Sequence, residues 1–490
     1  MINKDDSRVI TFPPESGGVR GGLNRRLNDS PIARWTVLFI VATAMMMGYF
    51  VNDIMSPLET LLEMPRSQGG LGWTPSDYGF FSGAGSFINV FLLMLFFSGI
   101  ILDKMGIRFT GTLACSLMVL GTLIKYYAVT ADFGSSDVSF FGTHLPSSAA
   151  WASFGFAIFG VGYEMTGITV SKAMVRWFTG HELALAMGLQ LAMARFGTAA
   201  ALSISAPIAR HYTLSAPLLV ALAFLIIGLL AFLVFCVMDR RMDSNQSNPN
   251  TQNTPSSSDD EFHWSDIGIT LRNPGFWLIT LFCVLFYSAV SPFLKFSTKL
   301  MVMKYGVDPD LAGFFSSIAP FGTMLFTPLF GLIYDRYGKG VTLVITGALM
   351  LTAVHFGFSL PIDSGSKFFT LHSSFFTPST IAIALMVTLS IGYSLAPAAL
   401  WPCVPKIIPL KCLGTAYSMI FFIQNFGRAI IPMCVGKANE TDPTYTTSML
   451  IFGFTALDAA LTAIAMLYVD RKKSYGLQLP NIAHGVRNDV

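Results

Sequence analysis

Across most of this chain the apolar positions neither alternate nor gather on one helix face. They run on unbroken and stop at short clusters of Gly, Pro and charged residues. Runs of about 20 apolar residues match the length a helix needs to cross the hydrocarbon core of a bilayer. Twelve such segments can be read, at 36–62, 77–102, 109–130, 149–172, 182–208, 214–238, 275–300, 311–334, 341–361, 378–405, 412–436 and 446–469. Strands of a membrane barrel would alternate apolar and polar positions over about ten residues. Continuous runs therefore predict helices, whose backbone groups are satisfied within the segment even in lipid.

The long polar stretches divide the chain. Residues 1–35 and 470–490 read as tails, and 239–274 as a linker between two six-helix units at 36–238 and 275–469. Within that linker, Asn245 to Asp260 is rich in Ser, Asn, Gln, Thr and Pro, a composition that cannot build a packed core. The predicted class is an all-α membrane protein of twelve transmembrane helices in two bundles.

Composition supports this reading: 53% of residues are hydrophobic and 12% charged, against about 25% charged in soluble domains. A soluble enzyme is excluded. The net charge of +3 is spread along the chain, so no nucleic-acid stripe is expected. The placement of the basic residues is more informative than their sum. With both termini inside, the tails and even-numbered loops hold 21 Lys and Arg, and the opposite loops hold five. That bias predicts cytosolic termini. The six cysteines (Cys115, Cys236, Cys283, Cys403, Cys412, Cys434) show no CxxC or metal spacing and read as core residues.

The two halves also echo one another. Gly99, Asp103, Lys104, Gly106 and Arg108 follow the second segment; Gly331, Asp335, Arg336 and Gly338 follow the eighth at an offset of 232. Gly162-Tyr163 matches Gly392-Tyr393, and Phe196-Gly197 matches Phe426-Gly427, both at an offset of 230. Such duplication suits two halves related by an axis along the membrane normal. The glycines are expected to let helices approach in a tight turn. Asp103 is expected to meet a helix N-terminus or an arginine, latching one face when it closes.

A duplicated G-x-x-x-D-[KR]-x-G element in a twelve-span chain resembles the major facilitator superfamily. The stretch from Trp177 to Gly197, then Ala399-Leu400-Trp401-Pro402, Leu413-Gly414-Thr415-Ala416-Tyr417 and Gln424-Asn425, resembles its lysosomal dipeptide transporter branch. The resemblance implies transport of dipeptides, and it places an acidic residue of span four and an arginine of span five, here Glu164 and Arg195, at the peptide termini.

The residues themselves point the same way, because ionisable groups within a membrane are expensive and mark candidate sites. Arg195 offers a planar fork of donors for a carboxylate, and Glu164 an acceptor for an ammonium. Their repeat counterparts are Ser394 and Asn425, so the six-helix unit does not require the charges. A direct Glu164–Arg195 ion pair locking two helices is the plainer alternative. Lys295 and Lys299, four apart on one helix face, are candidates from the second half, with snorkelling to the interface as their alternative. Asp53, four residues before Pro57, is a candidate at the entrance, and Tyr163 and Trp401 are candidate pocket aromatics. Arg428 and Asp458 are assigned to structure, paired with each other or near a helix end. Pro397 and Trp401-Pro402 are expected to break span ten.

No GxxxxGK[ST] loop is present, so ATP is not the driver, and no cofactor is expected. No nucleophile and base pair or metal cluster suggests an enzyme. The reading is a secondary transporter for dipeptides working by alternating access, as a facilitator. A proton symporter using Glu164, Asp53 or His355, an organic-anion transporter, and a non-transporting sensor are the alternatives. The expected partners are a small-molecule substrate and the lipid bilayer; nothing in the chain points to an accessory subunit. A bacterial inner membrane and a lysosomal one both remain open.

Overall fold

The computed structural model describes residues 29–134, 136–140, 143–178, 181–244, 268, 270–361, 377–408 and 413–479. The stretch from Asn245 to Asp260, and Cys412, lie outside these residues. The first half comprises α1 (Pro31–Asp53), α2 (Glu59–Glu63), α3 (Pro75–Ala84), α4 (Phe87–Phe91), α5 (Met94–Thr130), α6 (Ser147–Phe178), α7 (Leu183–His211) and α8 (Ala216–Ser244). The second comprises α9 (Pro274–Met303), α10 (Pro309–Tyr337), α11 (Gly340–Ser359), α12 (Pro378–Leu400), α13 (Val404–Ile407), α14 (Leu413–Thr441) and α15 (Thr446–Lys473). Among the described residues ten helices are long and apolar enough to cross a membrane. The protein is thus an integral, multi-pass membrane protein.

Polar residues set where several helices begin. Thr74 caps α3 reciprocally with Asp77, while Asn273, Asp308 and Thr377 cap α9, α10 and α12 with their side chains. Each is followed by a proline at the first helical position, where the missing N–H is no loss. Successive passes put the ends of α1, α6, α8, α9, α10 and α15 nearest residues 31, 178, 244, 274, 337 and 473 on one face, called here the terminal face. Contacts between remote segments agree: Arg34 reaches Glu182, Tyr475 reaches Asn273 and Gln478 reaches Thr342.

The structure gives the repeat a physical reason. A Cβ added at Gly162 would lie 2.4 Å from the Ala114 carbonyl oxygen, and one at Gly392 would lie 2.9 Å from that of Gly347. These glycines let α6 lie on α5, and α12 on α11. A Cβ at Gly197 would sit 2.2 Å from the Met46 oxygen, and one at Gly427 would sit 1.8 Å from Ser288 Oγ. Thus α7 closes on α1, and α14 on α9, through matching positions. Gly106 and Gly338 both have positive φ, 79° and 67°, and each turns the chain within its motif, Gly106 dividing α5 into two helical segments. Gly99 and Gly331 differ from expectation: each has open space beside it, so neither mediates a close helix approach.

Three other expectations are corrected. The second predicted span is broken into α3, α4 and the first turns of α5, where Leu93 has φ 53°; a Cβ at Gly160 would meet the Gly85 oxygen at 1.8 Å, so α6 presses on this break. A hairpin pairs Asp137–Phe140 with Thr143–Pro146 between α5 and α6. Cys434 is exposed, unlike buried Cys115, Cys283 and Cys403. The expected break in span ten is present as a 3-10 turn at Trp401–Cys403, although Pro397 stays inside α12.

Candidate substrate-binding site

Charged side chains meet between the halves near mid-depth. Glu164 on α6 accepts a hydrogen bond from Arg428 Nη1 on α14 at 2.6 Å, with 18% and 21% of their side-chain surfaces accessible. Arg195 on α7 donates to the Tyr393 hydroxyl at 2.9 Å, and its guanidinium stands 4.9 Å from that ring's centre. Arg195 has no carboxylate partner among the described residues. The Tyr49 and Tyr163 rings stand 5.0 Å apart, and the Arg428 guanidinium lies 6.0 Å from the centre of the Tyr163 ring.

Next to this set, Lys295 on α9 binds Asp53 Oδ1 of α1 at 2.7 Å and also donates to the Asn52 carbonyl. Thr198 of α7 donates to the other oxygen of Asp53 at 2.9 Å. Trp401 donates from its indole to the Tyr287 hydroxyl at 3.3 Å, extending the aromatic wall toward Tyr393. Behind the site, Lys125 is 1% exposed, lies 4.5 Å from the Phe159 ring centre and reaches the Val51 carbonyl at 3.4 Å.

Several sequence assignments need correction. Glu164 and Arg195 do not pair with each other; Arg428 takes the carboxylate. Arg428, assigned to structure with Asp458, instead crosses to the first half, and Asp458 is exposed on the outside of α15. Lys299 neither snorkels nor joins the central group: it is 6% exposed and binds Glu59 at 3.3 Å and Glu63 on α2. His355 packs on Phe293 and Phe452 within the second half, away from the other charges. Among the described residues Asp103 pairs not with an arginine but with Lys172, at 2.5 Å and within its own half. Lys104 is exposed, Arg108 binds Asp243 at 2.9 Å, and Arg336 stacks on Tyr337. A signal for Arg428 exists in the sequence: it adjoins Gly427, the counterpart of the glycine beside Arg195. Tyr393 stands in the sequence as a repeat marker and at the start of the Tyr393–Pro402 block of the family resemblance, without a binding role.

On the face opposite the termini the halves are joined. Besides Lys299 with Glu59 and Glu63, Ser76 meets Glu440 and Arg210 meets Asp310 at 3.6 Å. Backbones nearly touch there. A Cβ at Gly79 would lie 2.6 Å from the Pro432 oxygen, and one at Gly313 would lie 2.1 Å from the Leu202 oxygen. On the terminal face the described charge pairs stay within one half, as in Arg34–Glu182, Lys172–Asp103 and Arg176–Asp239. A surface hollow lined by Arg66, Leu71, Val129, Asp132 and Thr213 lies apart from the central charges.

The family profile described as Major Facilitator Superfamily matches residues 133–432. The chain belongs to the Major Facilitator Superfamily. It is 29% identical over 404 residues to a protein of Danio rerio named "Lysosomal dipeptide transporter MFSD1", covering 79% of this chain and 78% of the relative. It is 27% identical over 400 residues to the Homo sapiens protein of the same name, covering 79% and 76%. Among solved structures it is similar to a peptide transporter POT in complex with sulfate, with a TM-score of 0.63, 13% identity, and 90% and 95% of the two chains covered. It is similar also to the nucleoside transporter NupG, at a TM-score of 0.62 and 12% identity, covering 89% and 98%. These structural likenesses concern the fold. As a superfamily member the chain is a membrane transporter.

Proposed function

We propose that this protein carries dipeptides across a membrane by alternating access, as a facilitator, with Arg195 holding the peptide carboxylate and Glu164 the ammonium. One observation carries the reading: between the halves stands a guanidinium with no carboxylate partner among the described residues, and on α6 a carboxylate held by a side chain of the other half. A zwitterion with its charges separated by a peptide unit complements both. The names of the relatives support the same cargo. Tyr163, Trp401 and Tyr393 then border the substrate, while Asp53 and Lys295 join the halves beside it. With the termini in the cytosol, as the charge bias supports, contact across the opposite face makes this the inward-facing state.

The test is uptake of a labelled dipeptide into proteoliposomes, with and without a proton gradient, beside Arg195→Ala. Uptake that needs Arg195 but no gradient supports the facilitator. Accumulation only with a gradient would make it a symporter. The cation excess at the site favours one second reading, an organic-anion carrier. That reading replaces the first if a monocarboxylate without an amino group competes as well as the dipeptide.

A further inference from the structure

The charges at mid-depth do not balance. Lys295 with Asp53 and Arg428 with Glu164 form two neutral pairs, and Arg195 remains as an additional cation. Lys125, packed behind Phe159, enlarges that excess if charged and does not reduce it. A dipeptide zwitterion adds no net charge. Its carboxylate would answer Arg195, but its ammonium would have to share Glu164 with Arg428, whose Nη1 already holds Oε1. Two cations would then share one carboxylate in a partly buried site where Lys295 is already bound to Asp53. An incompletely compensated guanidinium in such surroundings is unfavourable, so the complex with a neutral dipeptide lacks one anionic group.

We infer that the site selects dipeptides bearing an acidic side chain, whose second carboxylate pairs with Arg428 while the ammonium draws on Glu164. The inference rests on the peptide reading above and names the substrate class within it. Arg428 is then a specificity-determining residue. The cargo enters with one net negative charge and offsets that of Arg195.

Ala-Glu and Ala-Gln differ chiefly in one carboxylate and make the decisive comparison, as competitors of a labelled dipeptide for the purified full-length protein. Ala-Glu is expected to compete about ten-fold more strongly, the value of one charge-assisted pair in a partly buried site. In Arg428→Gln the difference should fall within about two-fold, and Ala-Gln should bind at least as tightly as before because Glu164 is no longer occupied. Retained Ala-Gln binding also shows that this variant is folded. Equal competition by the two peptides on the unaltered protein would overturn the inference while leaving the peptide reading intact, and this result needs no variant. Survival of the preference in Arg428→Gln would overturn it as well. If glutarate, which has two carboxylates and no ammonium, matches Ala-Glu, or if neither peptide competes, the peptide reading fails and the inference with it.

Discussion

On the face opposite the termini, Lys299 joins Glu59 and Glu63 across the halves, Arg210 joins Asp310, and glycines bring the backbones together. On the terminal face, Lys172–Asp103, Arg108–Asp243 and Arg34–Glu182 each lie within the first half. The same kinds of residue thus do two jobs. Pairs across the halves exist only while that face is shut, so they set the balance between states. Pairs within a half persist as it moves, and they hold its helices in register. The first copy of the duplicated motif, through Asp103 and Arg108, belongs to the second kind in this state.

The comparison can be broken most sharply at the glycines. Gly313→Val should prevent closure of the opposite face, because even a Cβ would meet the Leu202 oxygen. Transport is expected to be lost, because the atom met is backbone and cannot rotate away, which puts the penalty above the usual overpacking range of about 1–3 kcal/mol. A cysteine introduced near Ser76 should become more reactive to a membrane-impermeant thiol reagent from that side. Unchanged labelling would show that this contact does not define the closed state.

Lys299→Gln comes next. It leaves Glu59 and Glu63 without their ammonium in a buried place, a loss of about 3–5 kcal/mol to the closed face. The same cysteine should label faster, and Glu59→Gln combined with Glu63→Gln in that background should restore the original rate in part. No rescue would mean that Lys299 acts other than by pairing.

Asp103→Asn should have a smaller effect, slowing turnover several-fold with substrate affinity kept within about two-fold, since its partner Lys172 is far from the central charges and exposed pairs contribute about 0–1 kcal/mol. A matching loss of affinity would contradict a role confined to helix register and gating. The smallest change is expected from Asp310→Asn. Its pair with Arg210 is solvent-exposed, so labelling and transport should shift by less than about three-fold. A larger shift would place the control of closure at this rim.

Membrane class, the helix succession and the duplication were all legible in the sequence, because lipid admits helical spans and a repeat preserves the glycines where helices touch. Gly162 with Gly392, and Gly197 with Gly427, were visible as markers before their contacts were known. The break in span two was hidden, since nothing in its apolar run records the pressure of α6 against Gly85. In the candidate site, Glu164, Arg195, Asp53 and Lys295 stood out as charges in apolar surroundings. Their partners did not. A charge's cost in lipid depends on its own segment, but its partner is chosen by whichever helix faces it, and here that helix comes from the other half.

The sequence by itself determined that this is a twice-repeated helical transporter with charges placed in its spans. It does so because hydrophobic length and charge bias act locally along the chain. Only the tertiary structure decided that Arg428 rather than Arg195 holds Glu164, that Lys299 bridges two carboxylates, and that one face is shut. Those outcomes depend on how two separate helical units meet, and no local pattern encodes their mutual packing.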